Sequence, residues 1–589
     1  MQPLTKWLAH PSPDTGVHLA DAADGWRFLP YTKLAAAARR VAAALAAEGV
    51  RPGDTVCILM PTGYPALCAI YGVWAAGATV CPIVPPSFQS TGEYIRHVAA
   101  IAEQAAPKLT ISSEEFMLLL GAALNLSRQP GAPWVLREGS EELPPRPQGE
   151  LALLQFTSGS TDRPRGVQVS WDNLAANLAM LGRWADWQPG EGVASWLPLH
   201  HDMGLIACLL FPVANQADLW LMRPEQFIRN PLRWLECFGP GKARHTASPS
   251  FALAYAARRI PPERLAGLDL SGWRTICVGA ETIDVSALES FARFAAPTGF
   301  SRTAFLPAYG LAENTLGVTC RARLARPRII RPQWSGLRFG EAVPVVEVAR
   351  LGHAPIPPGS GWLIGHGRPA GGDEVGVRIA GEDGTALPDG HLGEIVVAGA
   401  SVAGGYHAGR AGGATRFAGG ELWTGDGGFF HGGELYVLGR MGESLKLLGR
   451  SVYVEDLDAK AAAAAGLDKG KILVVANTDR GRAAVAVFAE AGPGPWRDKV
   501  IAALRQELGQ EPVLTIVCGQ RGLIHRTSSG KPRRRHMWQL LQRGALTHAD
   551  MQSDSYRLSG PLGIGAGISP VTVGRPPRPG ADVAGAGPR

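Results

Sequence analysis

The sequence predicts an α/β protein: a large N-terminal domain of parallel sheets covered by helices with a small β-subdomain, and a smaller, mobile C-terminal α/β domain. Short apolar runs such as 54–60 (DTVCILM) are typical of parallel strands that are buried on both faces. Strand and helix patterns alternate through 151–320, which indicates parallel sheets covered by helices. Residues 340–440 are instead rich in glycine and short β-like runs, which favours antiparallel strands.

The apolar stretch 64–84 is either a membrane span or buried secondary structure. It is long enough to cross a bilayer, but Gly72, Gly77 and Pro82 interrupt it. We therefore expect a helix from about 65 to 76, a strand over 78–84, and no membrane span. Further expected helices cover about 91–105, 171–183, 251–259 and 285–295, and further expected strands cover 108–112, 151–156, 193–197, 274–278 and 304–308.

The C-terminal part returns to an α/β pattern over 453–545, with strands in KILVVAN and AAVAVFAE and a helix over 496–508. Residues 560–589 contain eight Gly and six Pro, a proportion typical of low-complexity chain. We expect an N-terminal domain over 1–439 with its β-subdomain over about 340–439, a mobile C-terminal domain over 440–548, and a disordered tail over 549–589.

Composition excludes several classes of protein. With 46% hydrophobic and 19% charged residues, the chain is globular rather than disordered. The net charge is +7, and only ten of the 58 basic residues are Lys. The excess of Arg over Lys reflects either coding bias or a preference for anionic partners. The eight Cys lack zinc-knuckle spacing, and the N-terminus lacks a signal peptide's apolar stretch. We expect free thiols and a cytoplasmic protein.

The strongest motif follows the strand 151–156. Small and hydroxyl residues in a loop let backbone N–H groups turn inward around phosphate oxygens. The loop is not a Walker motif, because no Gly-Lys-Ser/Thr follows it. Its candidate phosphate-binding residues are Thr157, Ser158, Gly159, Ser160 and Thr161.

A second motif, SWLPLHHDMGLI, places His200, His201 and Asp202 at the end of a buried strand. Neighbouring side chains on a strand point to opposite faces, so the two His are not expected to share a metal. We expect them to line a substrate pocket, with His201 as a catalytic candidate.

Two further motifs place glycine-containing turns after buried strands, where ligands bind in open α/β sheets. They are CVGAETI (277–283) and FLPAYGLAENTL (305–316). A fourth motif puts Asp426 in a glycine-rich turn, either to accept hydrogen bonds from a sugar diol or as an ordinary turn residue. The candidates in the first two are Gly279, Ala280, Glu281, Tyr309, Gly310, Leu311 and Glu313.

A fifth motif, HRTSSGKPRRRH, places Lys531 after small, flexible residues. The surrounding stretch 521–543 has seven Lys or Arg and no acid. It also lacks the interleaved aromatic residues that stack on bases, so we do not expect nucleic acid as a partner.

Taken together and in this order, TSGSTDRPRG, YGLAE, TGD, GR and RTSSGK resemble the core motifs of the adenylate-forming superfamily. That group includes acyl-CoA synthetases, adenylation domains of peptide synthetases, and luciferases. LPLHHDMGL and AYGLAENTL resemble the fatty acyl-AMP ligases in particular. Gly367 follows Glu313 by 54 positions, which is consistent with the insertion found in those ligases.

The resemblance implies ATP and Mg²⁺ as cofactors and a small domain that rotates between two half-reactions. It implies that 157–161 hold the β- and γ-phosphates and that 279–281 line the adenine pocket. Tyr309 would stack on adenine, Glu313 would bind Mg²⁺, and Asp426 would hold the ribose with Arg440 nearby. Lys531 would reach the substrate carboxylate and the α-phosphate.

The implied reaction is activation of a fatty acid, long-chain in our expectation, to acyl-AMP. Transfer to the phosphopantetheine thiol of an acyl carrier protein follows, for lipid or polyketide biosynthesis. The alternatives are an acyl-CoA synthetase and a non-catalytic adenylate-binding scaffold, with an amino-acid substrate as a minor reading. Chain length, cognate carrier and oligomeric state stay open. Departures from the family pattern are Asp162 and Arg165 in the phosphate loop, Gly442 and Glu443 in the hinge, and Val454 in place of Pro.

Overall fold

The computed structural model describes residues 3–21, 25–86, 91–127, 132–157, 164–321, 323, 325–358, 360–369, 375–407, 414–441, 445–447, 450–452, 454–479, 482–509, 512–526, 530, 532–546 and 549–553. Within this part of the chain, no helix is both long and apolar enough to cross a membrane. The stretch 64–84 forms a buried helix and a buried strand, as expected.

The large domain contains two sheets built mainly from parallel strands. In chain order its strands are β1 (Gly16–Ala20), β2 (Trp26–Pro30), β3 (Thr55–Leu59), β4 (Thr79–Ile83), β5 (Leu109–Ser112), β6 (Ala132–Val135), β7 (Leu151–Thr157), β8 (Arg165–Ser170), β9 (Gly192–Ser195), β10 (Leu219–Leu221), β11 (Ala243–Ser248), β12 (Thr275–Val278), β13 (Phe305–Gly310) and β14 (Gly317–Cys320). Its helices are α1 (Tyr31–Ala47), α2 (Tyr64–Ala75), α3 (Thr91–Ala105), α4 (Met117–Ser127), α5 (Trp171–Ala185), α6 (Phe211–Ala214), α7 (Pro224–Arg229), α8 (Pro231–Leu235), α9 (Ser250–Arg259) and α10 (Val285–Ala295), with a π-helical segment at Met203–Leu210.

The strand orders are β14-β13-β12-β11-β9-β10-β1-β2 and β6-β5-β3-β4-β7-β8. Interior pairs such as β11–β12 and β3–β4 are parallel, and the edge pairs β1–β2, β13–β14 and β7–β8 are antiparallel. The parallel-sheet prediction is therefore confirmed. Strands β9, β11, β12 and β13 all end at one edge of the first sheet, where their connecting loops meet.

Helices cover the sheets through close apolar contact. A Cβ at Gly72 of α2 would lie 2.4 Å from Cγ1 of Val41 on α1, so this position requires glycine. Helix α2 is almost wholly apolar and buried, which explains why its sequence resembles a membrane segment.

The β-subdomain is antiparallel, as predicted, but it begins at residue 328. Its strands are β15 (Arg328–Pro332), β16 (Val345–Arg350), β17 (Leu363–Ile364), β18 (Gly376–Ala380), β19 (Gly393–Ala398), β20 (Arg416–Ala418), β21 (Glu421–His431) and β22 (Glu434–Arg440). The expectation that Asp426 lies in a turn is wrong. Asp426 lies inside β21 and pairs with Arg440 on β22, because the neighbouring glycines continue the strand with a register shift between Gly427 and Gly428.

The C-terminal domain contains a two-stranded sheet followed by a four-stranded sheet with helices on both faces. Its elements are β23 (Leu445–Leu447), β24 (Arg450–Val452), α11 (Val454–Ala465), β25 (Ile472–Asp479), β26 (Arg482–Ala489), α12 (Trp496–Leu508), β27 (Val513–Cys518), α13 (Arg534–Gln542) and β28 (Asp550–Ser553). Helices α11 and α12 pack on one apolar face, and α13 packs on the other.

Strand β28 corrects the predicted tail over 549–589. Residues 550–553 pair with β27 in an antiparallel ladder, so backbone hydrogen bonds hold a segment that we expected to be part of the disordered tail. Residues 554–589 lie outside the described part of the chain. The domain boundary between residues 439 and 440 stays a prediction.

Candidate active site

A cleft of about 3030 Å³ lies at the carboxyl ends of the parallel strands and is lined by residues of both domains. From the large domain it receives the turns after β12 and β13, the strands β21 and β22, and the segment before the π-helix. From the small domain it receives Asp468, Arg526 and Arg534. The topology therefore brings most of the sequence-predicted site residues into one cavity.

Tyr309, Asp426 and Arg440 form a connected group. The Tyr309 hydroxyl donates to Oδ2 of Asp426 at 2.6 Å, and Nε of Arg440 lies 2.8 Å from Oδ1. Burial, and then the Asp426 charge, raise the pKa of Tyr309 well above its ordinary value. The carboxylate is thus oriented by a neutral donor on one side and a cation on the other, at the wall of the cleft.

The strand around Asp426 is held by residues that the sequence motifs did not single out. Glu394 is buried, accepts from the Gly425 amide at 3.0 Å, and binds the Arg416 guanidinium at 3.0 and 3.2 Å. The Thr424 hydroxyl donates to the Ile395 carbonyl at 2.7 Å. These contacts fix the backbone from which Asp426 projects.

Glu313 lies beside two residues from distant parts of the chain. The Tyr406 hydroxyl donates to Oε1 of Glu313 at 2.6 Å, and a guanidinium nitrogen of Arg165 lies 3.8 Å from the same oxygen. The Arg165 guanidinium also lies 4.5 Å from the centre of the Tyr406 ring. The departure Arg165 therefore contributes a cation beside the proposed Mg²⁺ ligand, and Tyr406 is a site residue that the sequence analysis missed.

A tight turn follows Glu313. Thr315 has φ 65° and ψ −57°, and the Leu316 amide donates to the Asn314 carbonyl at 2.7 Å. This is a γ-turn, a strained conformation for a β-branched residue. A Cβ at Gly310 would lie 2.1 Å from the Leu316 carbonyl oxygen, so only glycine permits the chain to fold back here.

The segment Gly279–Glu281 follows β12 and lines the cleft with Leu311 and Gly310. Ala280 adopts φ 66°, which turns its backbone sharply at the strand end. The Glu281 carboxylate accepts from the Ser250 hydroxyl at 2.7 Å and the Phe251 amide at 3.0 Å. Its side chain thus supports the first turn of α9.

His200 and His201 occupy different environments. Strand β9 ends at Ser195, so both follow the strand and neither lies on it, contrary to expectation. Burial, and then the neighbouring His201, lower the pKa of His200 to about 3. His201 is half-buried at the cleft, with Nδ1 2.7 Å from Oδ1 of Asp202. Both His200 and His201 line the cleft, where we expected a substrate pocket.

Several predicted residues lie outside the described part of the chain. Thr157 is described at the end of β7, opposite Arg165 on β8. The undescribed residues are Ser158, Gly159, Ser160, Thr161, Asp162, Lys531, Gly442 and Glu443.

Apolar side chains from α7, from α9 and from the segment before the π-helix line part of the cleft, which we call the apolar arm. Ile228 and Phe251 line it while remaining 46% and 50% exposed. Trp196 lines it as well and stacks on Phe227 with ring centres 4.2 Å apart. Exposed aliphatic and aromatic side chains inside a cleft suit an apolar ligand.

Comparison with known proteins agrees with this geometry. A family model described as AMP-binding enzyme matches residues 8–407. The chain is 33% identical to a long-chain-fatty-acid–AMP ligase of Mycobacterium marinum, over 77% of this chain and 79% of that protein. It is 32% identical to a putative acyl-CoA synthetase of Caulobacter vibrioides, over 85% and 88% of the two chains.

Two further relatives are informative. A medium-chain-fatty-acid–[acyl-carrier-protein] ligase of Moorena producens is 29% identical, over 86% of this chain and 88% of that protein. A solved structure from a study of fatty acyl-adenylate ligases of E. coli and L. pneumophila superposes with a TM-score of 0.81 at 26% identity. That superposition covers 92% of this chain and 99% of the other.

Proposed function

The chain belongs to the AMP-binding enzyme family and stands among its fatty acyl-AMP ligases, and on that premise we propose that it joins a long-chain fatty acid to AMP. ATP supplies the AMP, and pyrophosphate leaves. The acyl group then passes to the phosphopantetheine thiol of an acyl carrier protein. The observation that carries the proposal is the Tyr309–Asp426–Arg440 group, which shares one cleft with Glu313 and with an apolar arm.

The adenosine moiety fits the wall formed by 279–281, Tyr309 and Asp426. An aromatic ring supplies a stacking face for adenine, and a carboxylate accepts hydrogen bonds from ribose hydroxyls. Asp426 is already oriented by Tyr309 and Arg440, so little reorganisation is needed when the nucleotide binds.

The phosphates fit beside Thr157 and Glu313. One buried carboxylate that lines the cleft, together with phosphate oxygens, is a usual set of Mg²⁺ ligands. Glu313 fits that requirement. Bound there, Mg²⁺ supplies positive charge to the phosphate oxygens. Tyr406 and Arg165 orient the Glu313 carboxylate through the contacts described above.

In the first half-reaction a carboxylate oxygen of the fatty acid attacks the α-phosphorus, and the bond to pyrophosphate breaks. Both reactants are anions, so cations must offset their repulsion. We assign that role to Arg165 and Lys531, with Lys531 reaching in from the small domain. In the second half-reaction the thiol sulfur attacks the acyl carbonyl carbon, the thiol proton is lost, and AMP leaves.

The acyl chain fits the apolar arm. Burying a hydrocarbon chain against Ile228, Phe251 and Trp196 removes apolar surface from water on both sides, at roughly 25 cal/mol per Å². Arg223, Arg229 and Arg258 also line the cleft and supply positive charge for a carboxylate as it enters.

A carrier protein, rather than CoA, fits as the acceptor for two reasons. The small domain exposes Arg521, Arg535 and Arg543 from its basic stretch, and carriers of this kind are typically acidic. In addition, Lys460 of α11 lies 5.8 Å from the ring centre of Trp334, which belongs to the long segment between Glu313 and Gly367. We assign to this approach between the two domains the role of bracing one against the other, which would disfavour the CoA-accepting pose.

The acceptor test supplies ATP, a long-chain fatty acid, and either CoA or a holo carrier protein, at low and high salt. We expect acylated carrier, reduced at high salt because screening weakens charge-guided encounter, and little acyl-CoA. Efficient acyl-CoA formation would contradict the proposed acceptor and favour acyl-CoA synthetase activity, the activity named for the Caulobacter relative.

A further inference from the structure

Among the described residues, one group of three side chains brings its ligand atoms close enough to hold a single metal ion: Glu93, His525 and His536. Glu93 lies in the first turn of α3 in the large domain, and the two His belong to the small domain. We propose that this group is a zinc site that holds the small domain against the large one. The proposal does not depend on the reaction assigned above.

The distances suit zinc. Nδ1 of His525 lies 3.1 Å from Nε2 of His536, and the ligand atoms of all three residues lie within 4.8 Å of one another. Tetrahedral zinc with bonds of about 2.0–2.1 Å separates its ligands by roughly 3.4 Å. The two imidazole nitrogens, 3.1 Å apart, are close to that spacing, and the ligand atom of Glu93 lies no more than 4.8 Å from that of either His.

The ligand set also suits zinc. Two His and one Glu, with water in the fourth position, form a familiar zinc environment. All three side chains are half-buried, so an ion can enter from solvent while part of its surroundings is protein. The carboxylate comes from the large domain and the two imidazoles from the small domain, so an ion bound to all three would join the domains.

The two His are held in place by the backbone around them. The Arg533 amide donates to the His525 carbonyl at 2.9 Å, and the His525 amide lies 3.3 Å from the sulfur of Met537 on α13. Arg526 and Pro532, which both lie between the two His in the sequence, form a β-bridge. Lys531 lies between Arg526 and Pro532 in the sequence, so a metal here would fix residues on both sides of it.

Other interactions link the same two domains. His97 lies one turn after Glu93 on α3, and burial followed by the nearby Arg533 charge lowers its pKa. Arg258 of α9 lies 2.8 Å from Asp468 of the small domain. This ion pair is exposed on both sides and is worth little by itself. A metal bond at α3 adds a stronger and ligand-dependent link.

The first test measures zinc binding to the full chain after chelator treatment, by competition with a chromophoric chelator. We expect one Zn²⁺ bound per chain, and at least tenfold weaker binding in Glu93→Gln and in His536→Gln. Glu103→Gln, an exposed change on the same helix, should bind zinc like wild type. The His525→Gln/His536→Gln double variant measures any zinc held by the eight free cysteines.

The second test follows hydrogen exchange with and without Zn²⁺, with Mg²⁺ as the control ion. Peptides from both α3 and α13 should gain protection with Zn²⁺ in wild type and in Glu103→Gln, and neither should gain it in Glu93→Gln. Zinc binding no stronger than in the double variant would overturn the site. Binding that survives Glu93→Gln, with protection confined to α13, would overturn the link between the domains.

Discussion

At the scale of single residues, the nucleotide pocket depends on how Asp426 is held. Its two carboxylate oxygens contact Tyr309 and Arg440, which come from different strands. Glu394 holds the preceding backbone through the Gly425 amide. The proposed ribose contact therefore rests on a small network rather than on one side chain.

Tyr309→Phe removes the hydroxyl of this residue and keeps its aromatic ring, so it tests the hydroxyl alone. The ring remains for stacking, while a hydrogen bond to a charged group, worth about 1.5–3 kcal/mol, is lost. We expect the KM for ATP to rise by roughly tenfold or more, with a smaller change in the KM for the fatty acid, measured by pyrophosphate exchange. Tyr255→Phe is the matched control, because its hydroxyl binds the Ile228 carbonyl on the apolar side. An unchanged ATP dependence in Tyr309→Phe would remove that hydroxyl from the nucleotide site.

We expect the buried His366 to make the free energy of unfolding depend on pH. It is buried, and desolvation lowers its pKa to about 4. The unfolded chain binds this proton below about pH 6.5 while the folded chain does not, so stability is lost as pH falls from 6.5 towards 4, at about 1.4 kcal/mol per pH unit.

The measurement compares urea unfolding of wild type and His366→Gln at pH 7.5 and 5.0. We expect the wild type to lose about 2 kcal/mol more than the variant over this interval. Equal losses in the two proteins would show that His366 does not carry the effect.

Local motifs predicted part of this residue-scale picture. Tyr309, Glu313 and Asp426 each lie in a contiguous motif, so the sequence identified them as candidates. Tyr406 contacts Glu313 across 93 positions, and Glu394 lies in a strand with no chemical motif. No local pattern marks such residues, because their role comes from the fold.

At the scale of elements, the buried helices and parallel strands were predicted well because their apolar runs are long. Helix α2 and strand β4 lie within a few residues of their expected bounds. Glycine-rich strands were harder to predict, because glycine has no side chain to show the alternation of inward-facing and outward-facing residues that marks a strand. Asp426 was expected in a turn for that reason. Strand β28 was missed because its pairing with β27 depends on a strand some 30 residues earlier.

Helix α13 offers a prediction at this scale. Arg534 binds both oxygens of Asp458 at 3.2 and 2.6 Å, and donates to the Val474 carbonyl at 2.6 Å. Both side chains are 9% exposed. Arg534→Met should destabilise the small domain by about 3–5 kcal/mol, because it leaves a buried carboxylate unpaired.

Hydrogen exchange of the β25 and α13 peptides measures that loss. Arg534→Met/Asp458→Leu should recover much of the stability, since both charges are then absent. Arg258→Met removes a partner from an exposed ion pair and should cost at most about 1 kcal/mol. A loss in Arg534→Met no larger than in Arg258→Met would contradict the buried role.

At the scale of the whole molecule, the cleft lies between two domains that are contiguous in sequence. The sequence predicted both domains, and the ordered motifs predicted their shared site. The sequence did not predict that α3 faces the His525–His536 pair, because that contact depends on how the small domain packs against the large one. The proposed function requires that same docking to bring the Lys531 segment to the substrates.

The central claim is that this cleft forms an acyl adenylate, and direct detection of that product tests it. The full chain is incubated with ATP, Mg²⁺ and a panel of carboxylates, and acyl-AMP is measured by mass. We expect acyl-AMP from long-chain fatty acids, little from amino acids, and a loss on the order of 10²–10³ in rate with Lys531→Ala. No acyl-AMP from any fatty acid in the panel would contradict the account.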